Sequence, residues 1–232
     1  MLVSFDKKKM VEAIMGGLQN AKDRVRSENT LTANWRRIGK WDYMFSSIVD
    51  VIRGQDNFKY CIWDRGIFDV VLLYDEETKT VYSFLKRENF NKIMKRRKIK
   101  KAHYLDALLT YNKEYQDSQL QISMVESEPF ITDEVELQAQ HLRKELESML
   151  QNDEINQYIT IVLDYKEFSL QHVTSYICTK YLKVVDFEDW SEYITPSYSS
   201  AEVVDDQVYD VDNDIKNKIR IKPHVQPETD IS

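Results

Sequence analysis

The sequence predicts an α+β protein: an N-terminal helical pair packed on a hairpin-centred antiparallel sheet, a long amphipathic helix, a second antiparallel strand set and an acidic C-terminal tail. Three observations carry this. Apolar residues recur at three- and four-residue steps over 5–27, 40–53 and 133–150, the spacing of one helix face. Alternating or continuous apolar runs over 57–63, 67–86 and 157–190 are bounded by turn-forming residues, as strands are. After Thr195 the apolar residues thin out and acidic ones take over.

The first helix, 5–27, shows Met10, Ile14, Leu18, Ala21 and Val25 on one stripe, with Ser4 as the expected N-cap. Gly16 and Gly17 weaken its middle by up to about 1 kcal/mol each relative to Ala, which suggests a helix packed close against it. The second helix, 40–53, gathers Trp41, Met44, Phe45, Ile48 and Ile52, and Gly54 stops it. Just before it, Trp35 stands beside Arg36 and Arg37, an aromatic with two cations of the kind that stacks a base. Phe58, Tyr60 and Ile62 alternate with Lys59 and Cys61 as a strand.

The run 67–86 then reads as a hairpin whose turn centres on Glu76 and Glu77. It places a carboxylate, Asp69, near the start of an otherwise apolar strand, a costly position if the group is buried. Helix returns over 88–112, in two pieces, with Phe90, Ile93 and Met94 and then Tyr104, Leu105, Leu108 and Leu109 as apolar faces. Residues 119–124 alternate like a strand. Residues 133–150 are helical, with Val135, Ala139, Leu142, Leu146 and Met149 at heptad spacing. That seam suits packing on the protein's own sheet, with a homodimer through 133–150 as the alternative. A hairpin over 158–177 and a further strand near 182–185 complete the folded part, closed by Trp190. The expected organisation is one domain, 1–194, with an internal boundary near 113–118, and a flexible tail, 195–232.

Composition limits function. Of 232 residues, 42% are apolar and 31% charged, and the net charge is −7. No apolar run approaches the ~20 residues of a membrane helix, and the N-terminus shows no long apolar segment of a secretory signal. The expectation is a cytoplasmic protein with no membrane association. Cys61 and Cys178 read as buried reduced thiols. His103, His141, His172 and His224 are scattered, which argues against a Cys/His metal site, and neither a metal nor a cofactor is expected. No Gly-rich phosphate loop, no Gly-x-Ser-x-Gly elbow and no His-Glu-x-x-His is present.

Two features carry chemistry. In the hairpin, Asp69 falls opposite Phe84 and on the same face as Lys86. The layout resembles the metal-dependent nucleases that place an Asp on one strand and Glu-x-Lys on the next, where two acids hold Mg²⁺ and the lysine orients the attacking water. It departs from them at Phe84, which stands where the second acid belongs. Asp69 and Lys86 are the catalytic candidates that this likeness implies. The second feature is basic: Lys92, Lys95, Arg96, Arg97, Lys98, Lys100 and Lys101 put seven positive charges into ten residues. Such a run binds phosphates or an acidic partner, or lies solvated, or is covered by the acidic stretch 202–214 of the tail.

With no complete catalytic motif, the sequence reads as a non-enzymatic interaction protein that binds a protein partner. A composition rich in Lys, Asn, Ile and Tyr suits a bacterial or phage accessory factor of antitoxin, defence or anti-defence type. The alternative is a nucleic-acid-binding or degenerate nuclease-like domain using Asp69, Lys86 and the basic run 92–101.

Overall fold

The computed structural model describes residues 5–27, 35–65, 68–95, 103–112, 115, 133–151 and 154–195, and within these the side chains of 35–38, 134 and 135 are not described. The chain divides into two units, Met1–Thr195 and Pro196–Ser232, and every described residue belongs to the first. The fold is α+β, as the sequence predicts.

The element order is α1 (Lys7–Ser27), α2 (Trp35–Ile52), β1 (Phe58–Asp64), β2 (Asp69–Asp75), β3 (Thr80–Lys86), α3 (Arg87–Met94), α4 (Tyr104–Leu109), α5 (Asp133–Leu150), β4 (Gln157–Lys166), β5 (Ser169–Cys178) and β6 (Val184–Asp189), then a 3₁₀ turn, Ser191–Tyr193. The two expected strand sets are halves of one six-stranded sheet in the order β1-β2-β3-β4-β5-β6. They join through β3 and β4, which pair in parallel from Thr80↔Gln157 to Lys86↔Leu163; every other pairing is antiparallel. Parallel neighbours cannot be joined by a tight turn, so the chain between them carries α3, α4 and α5 across the sheet.

Helices therefore cover both faces. Alternation along β2 and β3 sends Val71, Leu73, Tyr82 and Phe84 to the face under α1 and α2, with Ile14, Leu18, Met44 and Ile48. Val70, Leu72, Tyr74, Val81 and Leu85 go to the other, under α3, α4 and α5, with Phe90, Leu108 and Leu146. The heptad seam of α5 is used here: Ala139 and Leu146 are buried, and Leu142 and Met149 pack on this second core. This is the packing on the protein's own sheet that the seam suits. Asn112, 1% exposed, ties the crossover to the sheet: its amide nitrogen donates to the Tyr158 and Cys178 carbonyls, 2.9 Å each, and its oxygen accepts from the Tyr158 N–H at 2.7 Å.

Local details differ from the sequence reading. Ser4 lies outside the described residues, and at the start of α1 the Asp6 carboxylate accepts from the Lys9 N–H at 3.1 Å. Helix α2 begins at Trp35, five residues before the expected start at 40, and nine before Met44, its first fully buried position. The strand expected over 119–124 falls outside the described residues. In the β2–β3 hairpin the buried carboxylate is not Asp69 but Asp75, 0% exposed, which accepts from the Glu77 N–H at 2.9 Å and the Thr78 hydroxyl at 2.5 Å. That capping, with Lys79 at φ 57°, shifts the turn toward Glu77–Thr78. The observed register is Leu72↔Ser83 and Leu73↔Tyr82, two residues away from the expected one. A shift of two preserves every side chain's face.

The glycine pair of α1 has two different roles. A Cβ on Gly17 would lie 2.6 Å from the Met44 Cα of α2, whereas one on Gly16 meets nothing within 4 Å. Gly17 is thus the contact that lets α1 and α2 lie against each other. Gly17→Ala is expected to destabilise the protein by about 1–3 kcal/mol through overpacking, and Gly16→Ala to stabilise it by up to about 1 kcal/mol through helix propensity. Chemical denaturation of the two variants checks both signs.

Candidate functional site

The ladder between β2 and β3 runs from Asp75↔Thr80 to Leu72↔Ser83. Beyond that point β2 keeps its pairing with β1 as far as Asp64↔Asp69, and β3 keeps its pairing with β4 as far as Lys86↔Leu163. Each strand stays with its outer neighbour, and the two part. Where they part there is a cavity of about 230 Å³, lined by Trp41, Asp42, Phe45, Phe68, Asp69, Val70, Phe84, Leu85, Lys86, Asn89 and Tyr104.

Asp69 and Lys86 both line it. Alternation puts both on the α1–α2 face, and the observed register, carried on by the same count, sets them against each other. Asp69 is exposed rather than buried, because it is the first residue of β2 and stands at the open rim. The burial cost expected for it does not arise. Phe84, by contrast, is 2% exposed and packs edge-on against Phe45 of α2, with ring centroids 6.4 Å apart. The place of the missing second acid is therefore filled by core.

Helix α2 brings a second carboxylate from another direction. Asp42 lines the same cavity, and it also lines a neighbouring hollow of about 300 Å³ with Asp69, Asp50, Arg53, Tyr60 and Ile62. Its carboxyl is held above the usual aspartate range, chiefly by partial burial and then by the negative charge of Asp69. Among the described residues, no group of three or more His, Cys, Asp or Glu is placed to hold a metal ion; Asp42 and Asp69 are the carboxylates that the cavity offers.

Lysines form the opposite pole. Lys86 pairs with Glu88 at 3.2 Å and lies 5.3 Å from the Tyr165 ring centre. Lys40 of α2 approaches the same ring from 5.9 Å, lies 4.2 Å from the Phe168 ring and donates to the Glu167 carbonyl at 2.7 Å. Its ammonium is pushed below the usual lysine range by burial first and by the charge of Lys86 second, with Glu167 opposing. The Tyr165 hydroxyl rises to about 12, through burial and the nearby Glu88. One end of the sheet thus holds three carboxylates, Asp42, Asp69 and Glu88, with two ammonium groups and a wall of aromatic rings.

The other sequence candidates fall out as follows. Lys92 and Lys95 are exposed on and just after α3. Arg96, Arg97, Lys98, Lys100 and Lys101 lie outside the described residues, as do the acidic stretch 202–214 and the side chains of Trp35, Arg36 and Arg37. His103 caps α4: its Nδ1 accepts from the Leu105 N–H at 3.2 Å, and Asp106 accepts from the His103 N–H at 2.6 Å. Cys61 and Cys178 are buried free thiols, both pushed up to about 12 by burial. Sequence reasoning missed Asp42, Lys40, Phe68 and Asn89. The one available signal was Asp42 lying between Trp41 and Phe45 at the start of an apolar helix face.

The family model that matches this chain spans residues 5–232, nearly all of it. The chain belongs to DUF5986, a family of unknown function. No curated protein and no solved structure matches it. Among its described residues no helix is long and apolar enough to cross a membrane.

The carboxylate pair makes a titration prediction. Because the folded pKa of Asp42 is raised, its ionised form opposes folding. That cost is absent below the unfolded pKa and fully present above the folded one. Asp69→Asn is expected to bring the Asp42 titration down toward the ordinary aspartate range, followed by carboxyl carbon NMR across acidic pH. An unchanged Asp42 midpoint contradicts the coupling.

Proposed function

We propose that the protein binds nucleic acid through the parted ends of β2 and β3, as a domain of nuclease-like layout. The observation that supports this is the meeting of Asp69 and Lys86 on one face of the sheet where the strands separate, with Asp42 beside the first and Lys40 within electrostatic reach of the second. This is the Asp-and-Lys half of the arrangement by which metal-dependent nucleases hold a divalent ion and a phosphodiester. Mg²⁺ keeps several waters and is commonly held by one or two carboxylates together with substrate phosphate. Asp42 and Asp69 fit that donor set, with Asp42 in the role that buried Phe84 cannot fill. Lys86 and Lys40 offer positive charge to the phosphate, and Lys92 and Lys95 extend it along α3. Cleavage is the chemistry a divalent ion would add there.

The test is fluorescence anisotropy of the full chain with labelled oligonucleotides. Binding is expected at low ionic strength, weakening steeply as salt rises. Lys86→Ala is expected to weaken it about tenfold, the worth of one hydrogen bond to a charged group, with thermal stability nearly unchanged. Added Mg²⁺ is expected to tighten binding by the wild type and not by Asp69→Asn. Affinity no better than millimolar at low salt, for single and double strands alike, overturns the reading.

A second reading has its own observation. Tyr60 and Ile62 of edge strand β1 are 45% and 56% exposed beside the hollow under α2. Exposed apolar side chains on a sheet edge suit a protein partner, by strand addition or by covering the patch. A partner of a bacterial or phage accessory system would dock here. Ile62→Lys is expected to change stability by no more than about 0.5 kcal/mol and to abolish capture of that partner in a pull-down from the native host, while Lys86→Ala leaves capture intact.

A further inference from the structure

We infer that the cavity between the parted strands receives one unpaired nucleobase, so that the nucleic acid this protein prefers is single-stranded. The inference rests on the nucleic-acid reading above and adds the form of the ligand. At about 230 Å³ the cavity falls below the roughly 300–1,000 Å³ of sites for drug-sized molecules, which suits a single ring system. Its walls are aromatic. Trp41 and Phe45 pack on each other with centroids 5.1 Å apart. Phe68, at the mouth, is 48% exposed. A phenylalanine held half in water beside a cavity keeps a ring face open for stacking, and base–aromatic stacking is the sequence-tolerant contact of single-strand binders.

The polar groups at the rim match a nucleotide rather than a bare phosphate or an apolar ligand. The Asn89 amide donates and accepts, as the edge of a base requires. With no divalent ion between them, Asp42 and Asp69 can accept from exocyclic amino groups. Lys86, on the same rim, and Lys40, which shares the Tyr165 ring with it, face the phosphates. In a duplex the base is stacked and paired, and withdrawing it costs a few kcal/mol. The two carboxylates also disfavour the dense phosphates of a duplex. A base already unpaired meets neither obstacle.

The experiment compares three probes on the full chain at one salt concentration: a single-stranded oligonucleotide, its duplex, and a single strand of the same length made of abasic sites. The single strand is expected to bind about tenfold more tightly than the other two. Phe68→Ala is expected to remove that advantage, and Phe68→Trp to keep it, with unchanged thermal denaturation showing that both variants fold. Equal binding of all three probes, or an advantage that survives Phe68→Ala, overturns the inference while leaving nucleic-acid binding in place. Absence of binding by every probe overturns both.

Discussion

The structure depends on the parallel pairing of β3 with β4. Both strands are buried on both faces: Val81 to Leu85 and Tyr158 to Leu163 are all closed to solvent. A strand pair covered on two sides needs two layers of helix, and parallel neighbours need a long connection to supply one of them. The stretch 87–156 meets both demands, carrying α3, α4 and α5 to the face that α1 and α2 leave open. Asn112 then fixes the crossover where it returns. It satisfies one buried N–H and two buried carbonyls at once, groups that would each cost about 1–3 kcal/mol if left unpaired.

The site is a consequence of that pairing. β3 is held by β4 to its last residue, and β2 is held by β1 to its first. The hairpin between them therefore closes at its turn end, where Asp75 organises the loop, and opens at the other. The opening exposes Asp69 and Lys86 on a common face, and α2, set close to α1 by Gly17, brings Asp42 and Trp41 over them. Lys86 is paired with Glu88, yet like charges also act on each other across the site. Asp42 is raised by Asp69, and Lys40 is lowered by Lys86. Like charges held near each other in a partly dry place are unfavourable for folding, and a perturbed group in a cleft is a candidate for a functional site.

Much of this frame was legible in the sequence. The helices at 5–27 and 133–150 announce themselves by their three- and four-residue steps, and the hairpin by its apolar runs around Asp75–Thr78. The shared face of Asp69 and Lys86 was legible too, because a register error of two leaves every side chain on its own side. What could not be read is non-local. Nothing in the periodicity of Thr80–Lys86 says that it lies beside Gln157–Lys166, so one mixed sheet looked like two strand sets. The same limit hid the exposure of Asp69, which depends on where β2 parts from β3, and the burial of Asp75, which depends on the turn. In β1 the alternation was visible but its sense was not: Cys61 and Trp63 are buried and Tyr60 and Ile62 are exposed, because α5 packs on the first face and α2 leaves a hollow over the second. Asp42 gave almost no signal, since a single acid at the start of an apolar helix is ordinary.

The proposed binding surface is the parted ends of β2 and β3 rather than the β1 edge. Backbone amide NMR of the full chain, titrated with a single-stranded oligonucleotide, tests it directly. Chemical-shift changes are expected to concentrate at residues 68–71, 84–89 and 40–45. Changes confined to the β1 edge, 58–63, or spread evenly over the exposed lysines, would contradict it.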